Sequence, residues 1–221
     1  MTLRARLPNK IDFYIPIILI FSAVEFNILK PEDSVRNAFK EPNPALALLI
    51  VFLAGLGGFA TVLILGVQLN AAAFILNSEV RIFARLIAFF AILALVSRVL
   101  RREWGELRGL LSALSLLFLV NLVSTIVLTL GLALFVSRQA IQAIVLWLSS
   151  RTDVFTLART LQLPGSISFP GLIIMAIAAL LLLLLNFIIF YYTIRQYLSL
   201  SSGLSLLLAL LVPLLVFILL F

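Results

Sequence analysis

The side chains able to do covalent chemistry in this 221-residue chain are few, and their types exclude most catalytic schemes. There is no histidine and no cysteine, so Ser/His and Cys/His nucleophiles, thiolate metal sites and nearly every zinc cage are out of reach. The three lysines, Lys10, Lys30 and Lys40, all precede Glu41, which leaves the apolar body without a buried Ser/Lys pair. No aspartate falls within a long apolar run, and that removes an intramembrane aspartyl dyad. Neither a phosphate-cradling loop nor a nucleophile elbow occurs; PGSISFPG has glycines at the wrong spacing. The expectation is a protein with no enzymatic activity, no cofactor and no metal.

Non-covalent work has better candidates. Glu25, Arg85 and Asn121, with the amides of Asn70 and Asn186, lie in or beside apolar runs, where a polar group can mark an ion or proton path. Glu25 is either a proton carrier or a helix-end residue at headgroup level. Asn121 has Ser124 and Thr125 three and four positions on, a pattern that suits an interhelical hydrogen-bond seam, either as packing or as a substrate contact. The glycine cluster AGLGGF, Ala54 to Phe59, is read as close packing through small residues rather than as a helix broken around a substrate.

A second constellation is cationic. Arg98, Arg101, Arg102 and Arg108 surround Trp104, Glu103 and Glu106 in one short turn, four guanidiniums beside an aromatic that favours the headgroup layer. Such a turn suits the headgroups of anionic lipids, at about 1 kcal/mol of attraction per basic residue near an anionic surface. The same cations would pair with acidic groups of a soluble partner, and the plainest reading is that they only fix topology.

These residues need a scaffold, and composition selects it. Hydrophobic residues make up 64% of the chain and charged ones 11%, against about 45–50% and 25% in a soluble domain. A soluble fold of this composition would lack a polar surface, whereas a helix of about 20 apolar residues crosses a bilayer with every backbone group satisfied. The predicted fold is an all-α polytopic integral membrane helix bundle, a single transmembrane domain over residues 1–221. The net charge of +7 is dispersed between apolar runs, which points to membrane lipids with anionic headgroups and not to nucleic acid.

Dividing the chain at its charges gives five firm transmembrane helices: Leu46 to Val67, the run between Arg81 and Arg98, Gly109 to Ser137, Gly171 to Thr193 and Gly203 to Phe221. The second spans only if both bracketing arginines snorkel and Arg85 sits one turn inside. Pro213 is expected to kink the last. Residues 45–221 form this five-helix bundle, interrupted at 138–170 by an interfacial segment of two short helices with Trp147 at headgroup depth. Residues 1–44 form an N-terminal segment with a marginal extra membrane helix over 12–29. That run reaches Glu25, Asn27 and Lys30 without a small-x-small pattern, so it is read as retained, not as a cleaved signal.

Charge and hydropathy disagree on the number of spans. With five spans and a cytoplasmic N-terminus, Arg4, Arg6, Lys10, Lys30, Arg36, Lys40, Arg98, Arg101, Arg102, Arg108 and Arg195 lie inside. Arg81, Arg85, Arg138, Arg151 and Arg159 lie outside, which satisfies the positive-inside rule. A sixth span moves the three N-terminal charges across and erases the bias, although the hydropathy of the first run favours it.

The order of segments resembles the YIP family, the Ypt/Rab-interacting membrane proteins and their prokaryotic relatives. LKPEDSVRNAFKEPNPALALLIVFLAG is similar to that family's cytoplasmic stretch leading into five closely spaced helices. SRVLRREWGELRGLLSAL resembles its charged linker and small-residue helix, and FYYTIRQYLSLSSGLSLLLALL its closing helix pair. The resemblance covers residues 29 to 221 and departs from the pattern in the long connection before the fourth firm span and in the run before Glu25. It implies a non-enzymatic scaffold or adaptor for membrane organisation or partner binding; which membrane holds it is left open by the sequence, with the cytoplasmic membrane of a prokaryote favoured. A transmembrane subunit of a transporter or permease complex is the alternative from another class. Either would act with other membrane-protein subunits or as a homo-oligomer.

Overall fold

The computed structural model describes residues 27–65, 71–99, 107–148 and 168–220. Among them the chain forms helices α1 (Pro31–Lys40), α2 (Pro44–Leu65), α3 (Ala71–Val99), α4 (Leu107–Phe135), α5 (Arg138–Leu148), α6 (Phe169–Leu198) and α7 (Ser202–Leu220). Three stretches are long and apolar enough to cross a membrane: Glu79–Val99 within α3, and all of α4 and α6. Pro44–Gly57 and Ser202–Ile218 are shorter apolar stretches. At 1.5 Å per residue α2 and α7 are about 33 and 28 Å long, while α4 and α6 exceed about 43 Å.

Helix α4 is the centre. From Gly109 to Val120 all but one of its residues are buried, as expected of a helix that is apolar all round. Small residues allow this: Gly109, Ser112, Ala113 and Ser115 let neighbouring backbones approach. A side chain at Gly109 would meet the ring of Phe39 from α1, and one at Gly57 of α2 would meet Leu122. The Asn43 backbone N–H meets Ser112 at the start of both helices and the Thr61 and Thr129 hydroxyls meet at 2.8 Å toward their ends, so α2 runs parallel to α4.

α6 runs antiparallel to α4. Ser168 accepts a hydrogen bond from the Gly171 amide, which caps the helix, and its own amide donates to the Phe135 carbonyl at the end of α4. A side chain at Gly171 would overlap the Phe135 ring, and one at Gly131 would meet Met175. Ser199, at φ 48, ends α6 in the left-handed conformation and turns the chain into α7. The outer faces of α6 and α7 are leucine and isoleucine, with Ile174, Leu180, Leu183, Leu210 and Ile218 all more than half exposed. An exposed apolar surface of this extent is a wall that fits lipid, not water.

Helix α1 is not among the elements expected from the sequence. Pro31 opens it, Glu32 and Asp33 sit in its first turn and Lys40 in its last, all favourable to the helix dipole. It buries Ser34 and Val35 and lays Phe39 on Tyr197, ring centroids 6.5 Å apart, across the start of α4 and the end of α6. Residues 27–30 form a turn in which the Lys30 amide donates to the Asn27 carbonyl. A helix over 12–29 therefore does not continue through Leu29, and its remainder lies outside the described residues.

Two further expectations change. α3 starts at Ala71, so Arg81 does not bracket it from outside but stands ten residues in, and Arg85 is at the helix midpoint instead of one turn inside. AGLGGF remains helical throughout, in keeping with packing. Of the segment 138–170, α5 is the first short helix; residues 149–167 lie outside the described residues. α7 continues as a helix through Pro213.

Candidate functional site

The midpoints of the long helices coincide with the polar residues of the apolar body. Arg85 is the central residue of α3, Asn121 is the central residue of α4, and Asn186 lies within one turn of the middle of α6. The Asn186 Nδ2 amide donates to Oδ1 of Asn121 at 3.1 Å, 65 residues apart in sequence. This pair carries the seam expected around Asn121. Thr125 does not, because its hydroxyl donates to the Asn121 carbonyl of its own helix at 2.9 Å. The remaining Oδ1 of Asn186 is buried and accepts no hydrogen bond among the described residues.

Arg85, Asn121 and Asn186 line one cavity of about 570 Å³ between α3, α4, α6 and α7. The rest of its wall is apolar and aromatic, including Phe89, Phe118, Phe187, Phe190 and Phe217. Phe89 and Phe190 meet edge to face at 5.1 Å and brace α3 against α6. Pro213 of α7 also lines it; a proline has no N–H to give, so the carbonyl of Ala209, one turn back in the same wall, lacks its helical donor. No carboxylate is among the described lining residues.

The opposite face of α3 holds a residue that sequence reasoning missed. Glu79 packs against Gly55 at the middle of α2, where any side chain would overlap its carboxyl group. Both carboxylate oxygens are buried without a hydrogen-bond partner among the described residues. Dividing the chain at Arg81 leaves Glu79 beyond the span. The signal that finds it is the charge-free run Pro42 to Ser78, too long for one helix, which must turn before Glu79.

The cationic constellation is only partly described. Arg98, exposed, ends α3, and Arg108, exposed, opens α4. Arg101, Arg102 and Trp104 lie outside the described residues, as does Glu25. The same end of the bundle gathers α1 and the end of α6. Glu32, Arg36, Tyr192 and Arg195 line a cleft of about 320 Å³ there, with Arg36 paired to Glu32 at 3.1 Å. A second cleft of about 290 Å³, between α1, α2 and α4, is lined by Lys40, Asn43 and Ser112. The Asn43 amide donates to the Ser112 hydroxyl at 3.0 Å, and Asn43 Oδ1 caps α2.

No family model, no curated protein and no solved structure matches this chain.

Proposed function

We propose that this chain is a five-span integral membrane protein acting by binding and not by covalent chemistry, as the transmembrane subunit of a transporter or permease complex. The carrying observation is that polar residues from the midpoints of three separate helices converge on one apolar cavity. In a bilayer, α2, α3, α4, α6 and α7 crossing together would put that cavity near mid-depth. Polar and ionisable groups there are costly, and where they persist they mark a substrate or ion path. α2 and α7, at about 33 and 28 Å, match a hydrocarbon core of about 30 Å.

A scaffold or adaptor is the second reading, favoured by the basic end. There α1 lies across α4 and α6 beside Arg36, Arg98, Arg108 and Arg195, a surface suited to anionic headgroups or an acidic partner. That reading agrees with the YIP-like order of segments.

Co-purification of the full chain from its native membrane separates the two. A stoichiometric nucleotide-binding or other energising subunit supports the transporter. A homo-oligomer without one supports the scaffold. A reporter active only in the cytoplasm, fused after Phe221, tests the five-span orientation and should stay silent.

A further inference from the structure

We infer that the cavity between α3, α4, α6 and α7 is a binding site for a small, neutral, lipophilic hydroxyl compound, an apolar body that donates a hydrogen bond. The inference rests on the proposed reading of that cavity as a ligand site and holds whether or not the ligand is transported.

Two acceptors short of a donor set the ligand's polar group. Oδ1 of Asn186 is buried and accepts no hydrogen bond among the described residues, while Nδ2 of the same amide is committed to Asn121. The second acceptor is the carbonyl of Ala209. Ala209 is buried in the same cavity wall, and the residue whose N–H would reach its carbonyl within the helix is Pro213. α6 and α7 are joined by a short turn at Ser199, and Asn186 and Pro213 stand at nearly equal numbers of residues from it, so the two share one depth. A helical carbonyl points toward the C-terminal end of its helix, which aims that of Ala209, one turn away, at the layer of Asn186. A buried acceptor left without a donor is costly, and a ligand hydroxyl that supplies the donor recovers that cost.

Charge and shape narrow the class. An ammonium would donate as well, but no carboxylate is among the described lining residues to pair with it. A carboxylate would bring only acceptors to these acceptors. A neutral hydroxyl donates once and still accepts, so it can also use an N–H of Asn121 in the same layer. Arg85 has an interaction of its own, and no part of the selection is assigned to it. The rest of the wall takes the apolar body, with Phe89, Phe118, Phe187 and Phe190 offering ring faces and edges to a flat aromatic ligand. The volume of about 570 Å³ lies within the span of about 300–1,000 Å³ usual for small-molecule sites that enclose most of their ligand.

The test uses the full chain in nanodiscs of phosphatidylcholine, with anthracenemethanol, a fluorescent neutral alcohol, as probe and its methyl ether as the counterpart that cannot donate. Saturable binding above that of empty nanodiscs is expected, with the alcohol favoured by about three- to tenfold, the scale of one hydrogen bond. Asn186→Leu should abolish that preference. Pro213→Ala, which returns an N–H to the Ala209 carbonyl, should reduce it, and Phe89→Ala should weaken both probes alike. Anthracenemethylamine, an ammonium at neutral pH, and anthracenecarboxylate should bind more weakly than the alcohol. Decanol should displace the probe, and diacylglycerol added to the nanodisc should not.

Equal affinity for alcohol and ether in the unaltered chain overturns the proposal without any variant having to fold. So does an Asn186→Leu protein of normal elution profile that keeps the preference. Tighter binding of the ammonium or of the carboxylate overturns the neutral ligand. Displacement by diacylglycerol and not by decanol assigns the site to a two-chain lipid and overturns the small ligand. Preferential binding of the alcohol by a chain that purifies without an energising subunit removes the transport reading and leaves the site. Recovery of that subunit without binding does the reverse.

Discussion

Arg85 and Arg195 are the same side chain at different distances from a helix end, fourteen residues in one case and three in the other. Arg195 is exposed beside Arg36 and Tyr192, where water or headgroups solvate it whatever its rotamer. Arg85 is half-buried among phenylalanines in the same wall as the Asn121–Asn186 pair. The basic end therefore holds charge cheaply and redundantly, with no single contact there carrying much energy. The midpoint layer holds few polar groups, and two of them, Asn121 and Asn186, are tied by a direct hydrogen bond between helices. Location along the helix, rather than residue type, separates the two settings.

Substitutions can break or sharpen this contrast. The largest effect is expected at the α2/α3 crossing. Gly55→Leu forces a side chain into the space of the Glu79 carboxyl and should cost about 1–3 kcal/mol, as overpacking does. Thermal unfolding in detergent reads this, and Glu79→Ala in the same chain should recover most of the loss. A Gly55→Leu protein as stable as the original would mean that the helices do not cross there.

Next comes the amide pair. A cycle of Asn121→Leu, Asn186→Leu and the double variant should show a coupling of about 0.6–2 kcal/mol, the range for hydrogen bonds between membrane helices. Additive losses would show that the two amides do not meet. Phe39→Ala should act more locally. It removes the stacking of α1 on Tyr197, worth about 0.5–1.5 kcal/mol. Trypsin should then cut sooner at Arg36 and Lys40 while the unfolding midpoint of the bundle barely moves. Smallest is Glu32→Gln, which breaks the exposed pair with Arg36. The expected change is below about 0.5 kcal/mol, and a larger one would mean that the basic end stabilises the fold as well as setting its sidedness.

How much of this the sequence disclosed depends on the signal each element carries. Apolar length reveals α4 and α6 because twenty or more uncharged residues have few other uses, and their ends agree with the structure to within a turn or so at most termini. α3 defeats that signal because its charges lie inside it; splitting a chain at charged residues fails where a cleft between helices or a glycine contact accommodates them. The same splitting hides Glu79 and puts Arg85 near a helix end. α1 escapes a search for apolar runs because it is short and polar, although Pro31, the acidic first turn and the Glu32/Arg36 spacing mark it. Residue type singles out Arg85 and Asn121, with Asn186 beside them. Their convergence was not legible, because a one-dimensional pattern does not say which faces of α3, α4 and α6 meet.

The central claim is that the polar layer lies inside a bilayer, and the chain is suited to a direct test because it has no native cysteine. Leu183, 67% exposed and three residues from Asn186, is replaced by cysteine and spin-labelled in vesicles. Gln196, exposed at the basic end of the same helix, serves as the reference. Power-saturation measurements then compare access of dissolved oxygen, which concentrates in the hydrocarbon, with access of a water-soluble nickel chelate. The Leu183→Cys label should be open to oxygen and shielded from nickel, with the order reversed at Gln196→Cys. Equal nickel access at the two positions would place the layer in water, and the membrane-embedded site would then be wrong.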